Sequence, residues 1–347
     1  MAILTNSNPT LADLASRFGP DGKILKGVVE LLSQSNDILQ DMVMVECNDG
    51  QQHKAITRTG LPPVYWRAYN QGIPSSKSTT APITAACGMM EYYSEVDVDL
   101  VAINNNKEEF LLSEESAAAE AMSQEQANTL IYGSKKDANR YVGLAELYSS
   151  TTSGVGTNIL DGGGTGSTNT SIYLVSWGEN SVFCIYPKGS KAGLIREYQG
   201  QKTLTEFVSG TTVHHEVLRT RMQWKNGLMV KDWRHVVRIA NLKTDDFAGM
   251  TGTQSPAQAS VDYAHNIVHL MLRAIHRIPS LRSGRMAFYA NRSVHSLLAR
   301  MAMERNTYAV TLDKGVGMFG QPIVNMNFMG IPVRLVDAIK NTEAKVA

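Results

Sequence analysis

The 347-residue chain is long enough for one large irregular fold or for two domain-sized cores. Its 33 Lys and Arg against 32 Asp and Glu leave a net charge of +1, so no overall field draws it to nucleic acid or to anionic lipid. No apolar run nears the roughly 20 residues that cross a bilayer, and residues 1–20 lack the charged start and apolar centre of a signal peptide.

Along the chain, residues 9–18 and 24–42 carry helix-spaced apolar residues interrupted by Gly and Pro, which predicts short helices in an arm. Residues 48–106 turn polar and rich in Gly, Pro and Thr around short β-like stretches, among them Tyr65-Trp66-Arg67 and the alternating run from Val96 to Leu100, read as a strand. So polar a segment buries little surface by itself, whereas exposed Tyr and Trp are the residue types that anchor interfaces. An extended hairpin lying on another subunit accounts for both.

Lys107–Tyr132 has no Gly or Pro and is rich in Ala, Glu, Leu and Gln. It predicts a long helix capped from Asn104 to Asn106, with Glu108, Glu109, Glu114 and Glu115 at its positive end and Gly133 ending it. The Gly, Ser and Thr stretch at 149–169 is the candidate boundary, beyond which a second, α+β region begins. Strands are expected at 171–177, 182–187, 215–224, 229–240 and 285–290. Helices are expected at 260–278 and 291–305, the latter with Asn291 as N-cap, and short closing strands on either side of Gly330. Charge is uneven: positions 101–150 hold eight acids against four bases, and 251–300 hold six Arg against the single acid Asp262. Either head-to-tail contacts between copies or solvated helix faces explain this.

Chemistry-bearing patterns are weak. Cys47, Cys87 and Cys184 show no CxxC spacing and read as reduced thiols. His265 and His269 have the i, i+4 spacing of paired metal ligands, but Asn266 replaces the Glu of HEXXH and no third ligand is evident, so no metal site is expected. His214, His215 and Glu216 cluster without a nucleophile. The run from Asp161 to Gly166 lacks the Lys of a phosphate loop and reads as a mobile turn. Trp224, Lys225, Lys231, Trp233, Arg234 and Arg238 interleave base and aromatic, which suits either nucleic-acid contact or packing within strands. No catalytic residue and no cofactor are expected.

Five segments resemble, in content and order, the major capsid proteins of tailed double-stranded DNA bacteriophages of the short-tailed, epsilon-fifteen-like group. They are GLPPVYWRAYNQGIPSSKSTT (60–80), CGMMEYYSEVDVDL (87–100), GGGTGSTNTSIYLVSWG (162–178), PKGSKAGL (187–194) and GLMVKDWRHVVRIANL (227–242). The similarity covers most of residues 36–242 and weakens towards the C terminus.

The resemblance implies an α+β Hong Kong 97-type capsid fold and a structural, non-enzymatic role in an icosahedral phage head. It implies an N-terminal arm at 1–47, an extended loop at 48–86, and a peripheral domain at 87–150 with a spine helix at 107–132. The axial domain would take most of 151–320, with 321–347 returning to the peripheral domain; some relatives show permuted connectivity. Partners would be copies of the chain in hexamers and pentamers, with a cement or decoration protein, scaffold and portal as further candidates. Packaged double-stranded DNA would be held without sequence specificity, and no membrane is involved. The protein would belong to the virion capsid and assemble in the host bacterial cytoplasm. Inter-subunit contact falls to Tyr65, Trp66, Arg67, Tyr69 and Lys77 on the loop. Some phages of this fold crosslink a loop Lys to a neighbour's Asn; Lys54 and Lys77 are available, but noncovalent interlocking is expected.

Overall fold

The computed structural model describes residues 33–102, 107–152, 154–208, 211–244, 258–281, 284–303, 310–316 and 322–347. In chain order the elements are α1 (Ile38–Asp41), β1 (Met44–Glu46), β2 (Gln52–Gly60), β3 (Thr79–Ala86), β4 (Gly88–Asp97), α2 (Val98–Ala102), α3 (Lys107–Tyr132), α4 (Leu144–Leu147) and β5 (Ile159–Asp161). There follow β6 (Asn169–Trp177), β7 (Val182–Tyr186), β8 (Leu194–Val208), β9 (Thr211–Val230), β10 (Val236–Lys243), α5 (Gln258–Arg277), β11 (Arg285–Ala290), α6 (Arg292–Met303), β12 (Val310–Val316), β13 (Pro322–Phe328) and β14 (Ile331–Leu335). The expected arm helix at 9–18, residues 24–32 of that at 24–42, the caps at Asn104 to Asn106 and the side chains of Glu108, Glu109 and His265 lie outside the described residues, and of 33–42 only Ile38–Asp41 is helical.

The described chain divides into two units, one of Met89–Gln126 and Lys191–Lys225, the other of Gln34–Gly88, Ala127–Ser190 and Asn226–Ala347. The Gly, Ser and Thr stretch at 149–169 lies wholly inside the second unit, so the compact units do not part there.

In the second unit, strands run in the order β12-β13-β14-β11-β6-β7, with β10 and then β5 branching from β6, and β1 beside β7. All nine residues of β6 are buried, because both sheet faces are covered. Strand alternation sends Ile172 and Leu174 to one face, against Ile267, Met271, Ile275, Val294, Leu298 and Met301 of the two long helices. Tyr173, Val175 and Trp177 point to the other, against Leu130, Ile131, Tyr148 and Ile38. Each such fully buried side chain contributes about 1.5–3 kcal/mol. Asn291 caps α6 through its Oδ1, which accepts the Val294 N–H at 2.9 Å. β13 turns into β14 through Met329 and Gly330, both at positive φ, the geometry of a two-residue hairpin turn.

In the first unit, β8 and β9 form a long antiparallel hairpin paired from Leu194↔Trp224 to Val208↔Thr211, and β4 lies beside β9. This part of α3 buries Leu111, Glu115, Ala118 and Met122, spaced by three and four residues as one helical stripe. Around them gather two small apolar clusters, Val96, Leu100, Val101, Leu111 and Leu218, and Ala118, Met122 and Met222. The expected strands 215–224 and 229–240 are redrawn: one strand, β9, runs through to Val230, a short 3-10 turn at Trp233–His235 follows, and β10 begins at Val236. β8 is an element that the sequence pattern did not predict.

Two local expectations change. The alternating run from Val96 to Leu100 is strand only to Asp97, whose Oδ1 accepts the Asp99 N–H at 2.8 Å and starts α2. The helix burial that follows places Leu100 and Val101 in the apolar cluster. Gly133 does end α3, but through crowding rather than a left-handed turn: a Cβ there would lie 2.1 Å from the Tyr141 carbonyl and 2.7 Å from that of Thr129.

Candidate assembly surface

β2 and β3 pair antiparallel from Gln52↔Ala86 to Gly60↔Thr79. Burial alternates strictly over most of the pair, and Ala55, Ile83 and Ala85 pack against Cys47, Phe183, Ile185 and Met229. The Thr57 hydroxyl donates to the Lys231 carbonyl at 2.8 Å, and the His53 ring stands edge-on to Phe183 at 5.3 Å. The hairpin is thus rooted on the body of its unit.

Past Gly60 the ladder stops. Pro62 and Pro63 remove two successive backbone donors, so the chain cannot continue as a paired strand. Residues 61–78 have no regular structure, and the expected β-like stretch at Tyr65-Trp66-Arg67 is irregular. Little holds this tip to itself: the Ser76 hydroxyl donates to the Pro63 carbonyl at 3.0 Å, and the Gln71 N–H to that of Ala68 at 3.3 Å. Sixteen of its 18 residues are exposed and none is buried. Trp66 is 102% exposed, Tyr69 98%, Val64 90% and Tyr65 47%. Its only charges are Arg67 and Lys77, both exposed and without an ion-pair partner among the described residues. The tip therefore presents apolar and aromatic surface with two positive charges.

The five residues expected from sequence all lie on this tip. Lys54, by contrast, is at the hairpin root and pairs with Asp49. Sequence reasoning missed a second group, Met89, Tyr92, Tyr93 and Tyr198, exposed on β4 and β8 of the first unit. Arg219 sits over the Tyr93 ring at 5.5 Å and pairs with Glu95 at 2.5 Å. Neighbouring Arg221 pairs with Glu91 at 2.5 Å, and Arg196 with buried Glu115 at 2.6 Å.

The other sequence candidates dissolve into structure. Arg238 of the basic and aromatic run is buried: its guanidinium donates to Glu343 at 2.9 Å, the Ser171 hydroxyl at 3.1 Å and the Tyr148 carbonyl at 2.8 Å. Burial pulls its pKa down, but Tyr173 and Glu343 outweigh that and leave it raised. A cavity of about 320 Å³ opens beside this pair, lined in part by Tyr132, Glu146 and Lys340. Arg234 pairs with Asp232, and Lys231 donates to Asn180, so the run presents no common basic face. The Gly-rich turn is pinned rather than mobile. Gly162 and Gly164 donate to the carbonyls of Ala240 and Asn241 at 2.8 and 2.7 Å, and Gly163 to Asp161 at 2.9 Å. Those amides are not free to hold an anion.

His214 bonds Thr205 at 2.9 Å and Glu216 accepts from Thr203 at 2.5 Å, both exposed and without a convergent nucleophile among the described residues. His269 and His276 are exposed on α5, and no group of three metal-ligating side chains occurs among the described residues. Part of the Arg-rich block at 251–300 is used within the chain: Arg285 reaches buried Asp41, and Arg292 pairs with Asp337 at 2.7 Å.

Residues 19–347 match the family model of the major capsid protein GP7. A chain of the near-atomic cryo-EM structure of bacteriophage Epsilon15 is 32% identical, covering 100% of this chain and 99% of that one, with a TM-score of 0.76. The capsid of bacteriophage JBD30 is 11% identical over 90% of this chain and 96% of that chain (TM-score 0.47), and the capsid of the native GTA particle 9% identical over 63% and 94% (TM-score 0.44). A search of curated protein sequences finds no match. The fold is the Hong Kong 97-type capsid fold and the role a structural one in an icosahedral phage capsid. On a family match that spans nearly the whole chain and a full-length structural counterpart, this chain belongs to the major capsid protein GP7 family.

Proposed function

We propose that copies of this chain assemble into hexamers and pentamers that close a phage head around double-stranded DNA, and that the β2–β3 hairpin with its tip is the extended loop lying over a neighbouring subunit. Tyr65, Trp66, Arg67, Tyr69 and Lys77 supply that contact, and it is noncovalent. The observation that carries this reading is an 18-residue tip with no buried residue and a wholly exposed Trp66. So much exposed apolar surface costs solubility unless another surface covers it.

In the same reading residues 1–47 form the arm and 48–86 the extended loop. Residues 87–150 form the peripheral domain around α3, residues 151–320 mainly the axial domain, and 321–347 return to the peripheral domain. The grouping of β8 and the first part of β9 with α3 in one unit favours counting those strands with the peripheral domain as well. The chain catalyses no reaction. A near-neutral charge suits a container that encloses DNA without adhering to it. Cement, scaffold and portal proteins are the further partners, and the mature location is the virion, after assembly in the bacterial cytoplasm. Expression of the chain followed by negative-stain electron microscopy tests the proposal: closed shells or regular capsomers are expected, and a chain that stays monomeric at high concentration overturns it.

A further inference from the structure

The segment 48–86 is bracketed by two cysteines. Cys47 follows β1 directly, Cys87 follows β3 directly, and their sulfurs lie 3.5 Å apart. Both backbones are held independently of the sulfurs, that of Cys47 at the end of β7 and that of Cys87 at the start of the β2–β3 hairpin. The Cys47 N–H donates to the Tyr186 carbonyl at 2.9 Å, and the Cys87 N–H to that of Gln51 at 2.9 Å. Gly227, paired with Ile185, lets the chain at Cys87 approach closely, since a Cβ there would lie 2.7 Å from the Ala86 carbonyl and 3.2 Å from the Cys87 Cα. Neither cysteine is bonded now, and Cys184 is excluded from the pair by strand alternation. Phe183 and Ile185 share the cluster of Cys47, whereas Cys184 points to the opposite face of β7.

We propose that Cys47 and Cys87 are an oxidisable pair whose disulfide fastens the root of the β2–β3 hairpin. The sulfurs need to close by only ~1.5 Å to reach bonding distance. The two thiols lose two protons and two electrons and one S–S bond forms. A two-electron oxidant of the diazene class takes both, its N=N becoming HN–NH. Cys87 is partly exposed and so reachable, while Cys47 is buried. Burial raises the pKa of both thiols, so little reactive thiolate is present at neutral pH and oxidation of the pair is slow. The chemistry does not rest on the shell reading. Its consequence does, because a fastened root would hold the extended loop at a fixed angle during assembly.

The test treats the folded full-length chain with diamide, alkylates the remaining thiols after denaturation, and maps tryptic peptides by mass spectrometry without reductant. The expected product is peptide 27–54 joined to peptide 78–107 within one chain, with Cys184 alkylated. Reductant should separate the two peptides, and Cys47→Ser should abolish the joined species. Recovery of Cys47 and Cys87 both alkylated, or of either joined to Cys184 or to a second chain, overturns the proposal. A chain that builds shells yet fails to link refutes the clasp and leaves the assembly reading intact; a chain that links but never assembles does the reverse.

Discussion

Trp66→Ala separates folding from assembly. The indole is 102% exposed, so its loss removes no packing from the free chain, and the urea midpoint of the monomer should move by less than about 0.5 kcal/mol equivalent. On a neighbour the balance differs. An indole carries about 200 Å² of surface, and at about 25 cal/mol per Å² complete burial is worth at most about 5 kcal/mol. Ordering the tip and imperfect fit reduce that to the about 2–4 kcal/mol typical of interface anchors, roughly 30- to 1000-fold in each contact. Because every subunit supplies one such contact, the loss recurs around each ring and the critical concentration for closed shells should rise steeply. Sedimentation of a concentration series, with electron microscopy of the pelleted fraction, measures it. Normal shells at normal yield from Trp66→Ala would refute the assignment of the tip as an inter-subunit contact.

The folded body makes its own predictions. Glu343→Ala leaves the buried Arg238 guanidinium without its carboxylate and should cost about 3–5 kcal/mol in urea unfolding. Gly133→Ala places a methyl where carbonyls already crowd and should destabilise by more than about 1 kcal/mol, although Ala is ordinarily the better helix residue; an unchanged melting temperature would contradict the packing described. His235 and His295 both have pKa values depressed, first by burial, from the ordinary 6.5. Between the depressed values and 6.5 the unfolded chain binds more protons than the folded one, so stability should fall as pH drops below about 6.5. Thermal melts from pH 7.5 to 5 should show that decline, and its absence would argue against neutral imidazoles in the fold.

Local rules made much of this fold legible. α3 ends at Tyr132 as the absence of Gly and Pro before Gly133 dictates, α6 starts behind the Asn291 cap, and β13 and β14 flank Gly330. What the sequence hides is long-range. Arg238 reads as a member of a basic stripe because its partner Glu343 lies 105 residues away, and only the return of the C-terminal segment makes it a core residue. The same segment closes on Asn241, whose Oδ1 accepts the Val346 N–H at 2.8 Å across 105 residues. β8 escaped notice for a related reason. Its polar residues gain their order from β9 rather than from a buried face, so apolar periodicity carries little signal.

The exposure of the loop tip was legible for the opposite reason, since it follows from what the segment fails to do. A segment such as β6, with nine residues all buried, offsets the entropy of ordering its backbone by removing apolar surface from water. Residues 61–78 incur the same entropic cost, about 1–2 kcal/mol per residue if fixed, and recover almost none of it among the described residues. Prolines at 62, 63 and 74 lower that cost by restricting the unbound ensemble, which is how a segment is prepared to be ordered by an external surface. An apolar, proline-stiffened, acid-free tip on a firmly rooted hairpin is therefore incomplete as a folding element, and in the proposed assembly a neighbour's surface would complete it.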